Sequence, residues 1–412
     1  MAIVACSAPA PAPEPAPPAE APRVEPEPAP VPPPAEAPPA VEAPAATPAV
    51  KPPGGPAISP AALVPAKFSD LPGWSGDDHA SALKTFLRSC QALEARAPWR
   101  SACLAARKVS ASRPTSARRF FETHFQVFRS INEDGSDEGL ITGYYEPLLH
   151  GSRKASARYR FPLYSVPEDL LVVDLAELYP ELKGLRLRGR LDGRRVVPYY
   201  SRAQIDRREP AVPAKVLYWV DDPVELFFLQ VQGSGQIRLD TGERVRVGYG
   251  DQNGHPYRSI GRFLIDQGEI TIEQASMQGI KAWAKQNPEK LGPVLHHNAS
   301  YVFFRELDAN LPGPLGALGV PVTGGRSLAI DPRYIPLGAP VYVATTWPNS
   351  KRALTRLMLA QDTGSAIRGP VRGDYFWGYG EQAGVQAGRM QQRGRLWVLL
   401  PLGTTPQSML AR

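Results

Sequence analysis

Many of the usual signposts are missing from this chain. It has no run of about eighteen apolar residues, so no segment is suited to span a bilayer as a helix. Cysteine occurs three times and histidine six times in 412 residues. The pair His296-His297 lacks companions at metal-ligand spacing and is expected to be exposed, and neither a metal nor another cofactor is expected. Lys and Arg never gather into a run, and zinc, helix-turn-helix and RNA-binding signatures are absent, which argues against nucleic acid as a partner. Gly233-Ser234-Gly235 is not followed by Lys-Ser/Thr at phosphate-loop spacing. There is no Gly-x-Ser-x-Gly nucleophile elbow, and no internal repeat of fixed period.

Proline is abundant but unevenly spread. Residues 1–60 hold 21 of the 46 prolines, mixed with Ala and Glu, and a segment of that composition cannot bury a core. It is expected to be extended, and about 54 residues at roughly 3.1 Å each would reach up to about 170 Å. Six Glu against Arg23 and Lys51 make this tether −4; with the whole chain at +7, the remainder from Ala61 onward is +11. A body this basic suits an acidic polymer or surface.

The tether begins with Met1-Ala-Ile-Val-Ala-Cys6-Ser, whose apolar-apolar-small-Cys order resembles a bacterial lipoprotein cleavage box. Only four residues separate Met1 from Cys6, too few for the charged and apolar parts of a signal peptide, so the start is expected to be misplaced or trimmed. Lipidation of Cys6 is expected; the alternative is an incidental exposed thiol. Cys90 and Cys103 lie thirteen apart around Trp99. In an exported protein they are expected to pair, closing a loop worth about 3 kcal/mol in the chain-entropy model. In a cytosolic one they would be two reduced core cysteines.

Periodicity places helices over Asp77–Arg96 and Thr115–Ile131, over Thr271–Gln286 with a Thr271/Gln274 capping box and a stop at Asn287-Pro288, and over Glu381–Gln391. Between them run short strands joined by Gly turns: 139–147, 195–200, 216–220, 225–232, 236–239, 244–247, 301–304, 327–330, 340–345, 356–360 and 395–400. The expected class is mainly β with a few helices, in two barrel-like units.

One stretch points to chemistry. An apolar run, Leu357-Met-Leu-Ala-Gln, delivers Asp362 into a Gly-containing turn, and Asp374 follows between Gly373 and the aromatics Tyr375, Phe376 and Trp377. Exclusion of water and a neighbouring negative charge both raise a carboxyl pKa. An acid that keeps its proton near neutrality can protonate a leaving oxygen, as glycosidic cleavage requires. The alternative is a buried turn whose Asp caps backbone amides. Asp362-Thr-Gly-Ser365 also matches an aspartic-peptidase turn, but the second such turn, Asp240-Thr-Gly-Glu, lacks the closing hydroxyl residue, and Ala360-Gln361 replaces the expected apolar pair.

Three further stretches mix Gly, aromatic and polar residues as a sugar groove would: Gly143-Tyr144-Tyr145-Glu146, Gln230-Val-Gln232-Gly-Ser234-Gly, and Val247-Gly-Tyr249-Gly-Asp251-Gln-Asn-Gly. Together with Tyr301 and Trp377 they supply the expected glycan contacts: Tyr144, Tyr145, Glu146, Gln232, Ser234, Tyr249 and Asp251.

Taken in order, Gly143-Tyr-Tyr-Glu-Pro, Gln230-Val-Gln-Gly-Ser-Gly, Val247-Gly-Tyr-Gly-Asp-Gln-Asn-Gly-His-Pro-Tyr, Ser300-Tyr-Val-Phe-Phe, Gly325-Arg-Ser-Leu-Ala-Ile-Asp-Pro and Ala360-Gln-Asp-Thr-Gly…Gly-Asp374…Gly378 resemble the membrane-bound lytic murein transglycosylase A family from about Phe68 to the C-terminus. The resemblance implies a lipoprotein on the periplasmic face of the outer membrane. It implies a double-psi β-barrel formed by 66–147 and 298–412, a smaller inserted β-barrel over 148–297, and a glycan groove between them, behind the 1–65 tether. It further implies lyase chemistry on the β-1,4 bond between N-acetylmuramic acid and N-acetylglucosamine, with a 1,6-anhydro product. Asp374 would be the catalytic carboxylate and Asp362 the turn carboxylate beside it, while Ser365 stands where Gly is frequent. Peptidoglycan strands and wall-remodelling proteins are the implied partners. A non-catalytic wall-binding module and an aspartic-type peptidase are the competing expectations.

Overall fold

The computed structural model describes residues 62–410, apart from 111–113, 180, 181, 183, 184, 186, 273 and 365. Cys6, the Pro/Ala segment and Ser365 lie outside the described residues. The described chain is mainly β, with ten α-helices among the described residues, none long and apolar enough to cross a membrane.

Six strands close on themselves as a barrel. In order around it run Gln391–Pro401, Pro340–Thr346, Ala353–Thr363, Ser327–Ile330, Arg372–Tyr379 and Gly139–Glu146, which pairs back onto Gln391–Pro401 through Thr142 and Gln391. Ser327–Ile330 lies parallel to Ala353–Thr363 and antiparallel to Arg372–Tyr379, and Arg372–Tyr379 lies parallel to Gly139–Glu146. Leu357–Gln361 are buried without alternation, because barrel interior covers one face and helix His79–Leu93 the other. That helix is capped by Asp78, whose side chain accepts from Ser81 N at 3.1 Å. Its Cys90 is disulfide-bonded to Cys103 of helix Ala97–Ala106, with Cα atoms 5.6 Å apart. The strands Phe125–Ser130 and Leu63–Ala66 extend the sheet beyond Gln391–Pro401.

A second sheet has the order Val302–Leu307, Arg244–Gln252, Ser234–Leu239, Leu148–Ser152, Val216–Val220 and Phe161–Tyr164, and a bridge between Ser165 and Phe304 joins its two edges. All its strands come from residues 148–307, so it runs past His297 to include Val302–Leu307. Leu149, Leu163, Tyr218, Val220, Ile237 and Val247 fill its core. Leu171–Val172, Arg188–Asp192 and Arg195–Pro198 form a small third sheet.

Several expected elements differ. Glu225–Gln232 is not a strand but most of helix Pro223–Gln232. Asp222 accepts from Val224 N and Glu225 N at 2.7 and 3.1 Å, Pro223 occupies the first turn, and Gly233 closes the helix at φ +77°. The helix expected over Thr115–Ile131 is helix Pro114–His124 followed directly by strand Phe125–Ser130, since Phe121, Phe125 and Phe128 serve two elements in turn. The helix expected from Thr271 starts at Met277, capped by Ser276, and helices Ile260–Asp266 and Pro288–His297 were not foreseen. His296 and His297 are half-buried rather than exposed: His296 Nε2 is 3.4 Å from Asp206 Oδ2, and His297 stacks on Phe263.

Candidate active site

Asp362 and Asp374 reach one cleft because of strand register. Ala329 pairs with Asp362 on one side and with Asp374 on the other, and side chains at paired positions share a face of the sheet. All three line a cavity of about 270 Å³. Tyr144 and Phe376, ring centroids 4.9 Å apart, pack with Ala329, Val322 and Ile367 beneath it as an apolar floor.

The two carboxylates are held differently. Asp362 Oδ1 accepts from the backbone N–H of Ala317 (3.0 Å) and Thr363 (2.9 Å), and Oδ2 accepts from the Tyr144 hydroxyl at 3.0 Å. That fixes the turn. Asp374 Oδ1 accepts from Thr142 Oγ1 at 2.6 Å, and Thr142 Oγ1 in turn accepts from Arg372 Nη2 at 2.8 Å. A guanidinium can only donate, so the single hydroxyl proton of Thr142 points at Asp374 Oδ1. A proton carried by Asp374 therefore sits on Oδ2, the oxygen that makes no hydrogen bond to the described residues. Burial pushes Asp374 up from 3.8 to about 6; the Thr142 bond and the Arg372 charge pull the other way, and the Asp362 charge adds to the rise. Burial, then the two Asp charges, lifts the Tyr144 hydroxyl well above its ordinary range, so it stays a donor.

The opposite wall comes from the second sheet and the helix before it. Gln230 and Gln232, at the C-terminal end of helix Pro223–Gln232, face the carboxylates together with Arg202, Gln252, Asn298 and Ser300. The cleft continues into a second cavity of about 520 Å³ that shares Gln230, Gln232, Gln252 and Asp362 and adds Ser234, Tyr249 and Arg305. A side cavity, lined by Tyr145 and Met277, opens beside Thr142 and Gly143. The cavities share lining residues and so form one continuous polar groove.

Of the expected site residues, Asp374, Asp362, Tyr144 and Gln232 meet in the cleft, and Ser234 and Tyr249 in its continuation. Tyr145, one position out of phase with Tyr144, turns to the side cavity and donates to Met277 Sδ at 3.1 Å. Four others do not line these cavities. Glu146 is buried in an ion pair with Arg246, Nε to Oε1 3.1 Å, and accepts from Gln236 at 2.9 Å. Asp251 binds Arg188 through both oxygens at 3.0 and 2.9 Å. Tyr301 is 1% exposed, beneath the Arg202 guanidinium. Trp377 shares the phase of buried Tyr375 rather than that of Asp374, and its Nε1 donates to Met390 Sδ at 3.2 Å. Gln230, from the expected Gln230–Gly235 stretch, also lines the cleft, whereas Thr142, Arg372 and Arg202 lie outside the expected site residues. Strand alternation would have found Thr142 and Arg372, which sit two residues before Tyr144 and Asp374.

Asp240, the other Asp-Thr-Gly position, lies exposed at the hairpin after Ser234–Leu239 and not in the cleft. A two-aspartate peptidase centre is therefore not assembled. Among the described residues no group of three His, Cys, Asp or Glu side chains is arranged to hold a metal ion.

Comparison with known proteins agrees with this geometry. Residues 140–305 match the MltA specific insert domain and residues 326–400 the 3D domain. The membrane-bound lytic murein transglycosylase A of Escherichia coli K12 is 32% identical over 266 residues, which span 63% of this chain and 65% of that protein, just under two thirds of the relative's length. The crystal structure of MltA from Neisseria gonorrhoeae, monoclinic form, superposes with a TM-score of 0.72 at 42% identity, covering 83% of this chain and 93% of the other. E. coli MltA with bound chitohexaose superposes at 0.59 and 26% identity, covering 82% and 91%. By sequence, fold and the cleft they build together, the chain belongs to the membrane-bound lytic murein transglycosylase A family.

Proposed function

We propose that this protein is a peptidoglycan lytic transglycosylase that cleaves the β-1,4 bond between N-acetylmuramic acid and N-acetylglucosamine with Asp374 as its single acid/base. The observation that carries this reading is a carboxyl with a pKa near 6, open at Oδ2, in a polar groove. Asp374 protonates the glycosidic oxygen, and the C1–O bond breaks. The C6 hydroxyl of the same muramyl unit then attacks C1, and its proton returns to the Asp374 carboxylate, leaving a 1,6-anhydro ring. Intramolecular attack of this kind reaches effective molarities of about 10⁵ M or more when well oriented, so a second carboxylate is not required as nucleophile. Asp362 holds the turn and adds negative charge. The chitohexaose bound to the E. coli relative supports a glycan as occupant of the groove.

The closed barrel is the catalytic domain and the sheet from 148–307 the inserted one, in this reading. The +11 body suits the acidic wall, and a lipidated Cys6 at the periplasmic face of the outer membrane would anchor the tether; two acyl chains hold where one binds only marginally. Mass spectrometry of products from purified sacculi tests the activity. Anhydromuropeptides are expected. Reducing ends, cut peptides or an unaltered wall each refute it. Intact mass of protein extracted from membranes tests the anchor, and an unmodified Cys6 would remove it.

A further inference from the structure

Opposite Asp374 lies a pair of buried polar groups that the proposed proton transfers do not use. Arg202 is 3% exposed and has no ion-pair partner within 4 Å among the described residues. Its Nε donates to Asn298 O at 3.0 Å and its Nη2 to Ser300 O at 2.7 Å, which fixes the guanidinium from behind. Its faces rest on the rings of Phe227 and Tyr301, 4.7 and 5.0 Å from the centroids. Nη1 makes no hydrogen bond to the described residues, and the side chain lines the cleft. Gln230 is 4% exposed, one helical turn after Phe227, and its amide lies near the Tyr301 hydroxyl. Its Oε1 is buried with no partner in the protein.

A buried acceptor left unpaired is unfavourable unless a ligand completes it, and Arg202 on the same cleft has a donor to offer that ligand. Arg202 and Gln230 both adjoin Tyr301 and both line the cleft, so the donor and the acceptor lie on one wall of the cavity. Val231 and Val302 line the same cavity. A group that fits offers a carbonyl to Nη1, an N–H to Oε1 and a methyl to the valines. That is a secondary amide.

We infer that Arg202 and Gln230 form a subsite for the 2-acetamido group of a sugar, with buried Tyr301 as the positioning residue beneath both. The inference rests on the glycan reading of the groove and goes further, because it names the substituent by which N-acetylated polymers are told from plain glucans. A site built around such a hydrogen-bonding group rejects the analogue that lacks it, because its own polar atoms are then left unpaired.

The test is calorimetric titration of the full chain carrying Asp374→Asn, so that turnover does not blur binding, with N-acetylated chitohexaose and with cellohexaose, both uncharged. Chitohexaose is expected to bind at least about tenfold more tightly, one lost hydrogen-bond pair being worth that much. Gln230→Met in the same background is expected to cut the preference to about twofold or less, and Gln230→Glu, which keeps the acceptor, to retain most of it. In a crystal complex with chitohexaose an acetamido nitrogen should lie within hydrogen-bond distance of Gln230 Oε1. This readout and the parent's own preference need no Gln230 variant, so they stand even if Gln230→Met does not fold. Equal affinity for the two hexamers, or an acetamido group turned away from Gln230, overturns the subsite while leaving the groove a glycan site. Binding of neither hexamer overturns both.

Discussion

Asp362 and Asp374 stand on strands either side of Ser327–Ile330, each in register with Ala329. Asp362 is tied by hydrogen bonds from Ala317 N, Thr363 N and the Tyr144 hydroxyl, whereas Asp374 is held through Oδ1 by Thr142. In the proposed reading the pair divides into an acid and a support. Asp374→Asn is expected to reduce sacculus cleavage at least about 10²-fold while glycan binding persists, and Asp362→Asn to reduce it less. Product release followed by chromatography of anhydromuropeptides checks both. An active Asp374→Asn beside a dead Asp362→Asn would exchange the roles.

The pH profile carries a signed expectation. Proton donation fails as pH rises past the Asp374 pKa, so kcat/KM should fall through a limb near pH 6. The Thr142 hydrogen bond favours the ionised form. Thr142→Val is therefore expected to move the limb to higher pH, and Asp362→Asn, which removes a repelling charge, to move it lower. Shifts in the same direction in the two variants would contradict the assigned environment.

Asp374 is also a stability liability. Its pKa rises from 3.8 on unfolding to about 6 in the fold, so the protonated fold is favoured and stability is lost as pH climbs through that interval. A rise of this size corresponds to about 1–3 kcal/mol. Asp374→Asn should be more stable than the parent by that amount above pH 6, and the two should converge below about pH 4. Urea denaturation at pH 4 and pH 7.5 measures it, and equal stabilities at pH 7.5 would count against the burial argument.

Glu146 ends a strand of the closed barrel, and its ion-pair partner Arg246 belongs to the second sheet. Glu146→Ala leaves a largely buried guanidinium without its carboxylate, and a loss of about 3 kcal/mol is expected. Replacing both by Met should be less harmful than the single change. A double variant weaker than either single one would show that the pair is not the source of the effect.

Much of the architecture was legible because strands bounded by Gly turns announce themselves by composition. The Asp362–Asp374 pair was legible because Asp-Thr-Gly and Gly-Asp-aromatic are local patterns. Arg202 was not, since its partners are backbone carbonyls at Asn298 and Ser300, nearly a hundred residues away. The strand expected over 225–232 failed for a different reason. Its residues suit either element, and the Asp222-Pro223 start and the Gly233 stop decide for the helix. Tyr301 and Trp377 have the right chemistry for a sugar platform but the wrong phase, and one step along a strand reverses the face.

The bond from Thr142 to Asp374 spans 232 residues, and the barrel closes only when Gln391–Pro401 docks against Gly139–Glu146. Residues 148–307 can pair their own strands first, since every partner lies inside that span. The cleft that holds Asp374 is then the last thing the chain makes. A growing chain already holds Thr142, Tyr144 and the Gln230 wall, yet it lacks Asp374 until its final quarter arrives. Such long-range closure is slow, so on the proposed function the chain stays inert until nearly all of it has been made.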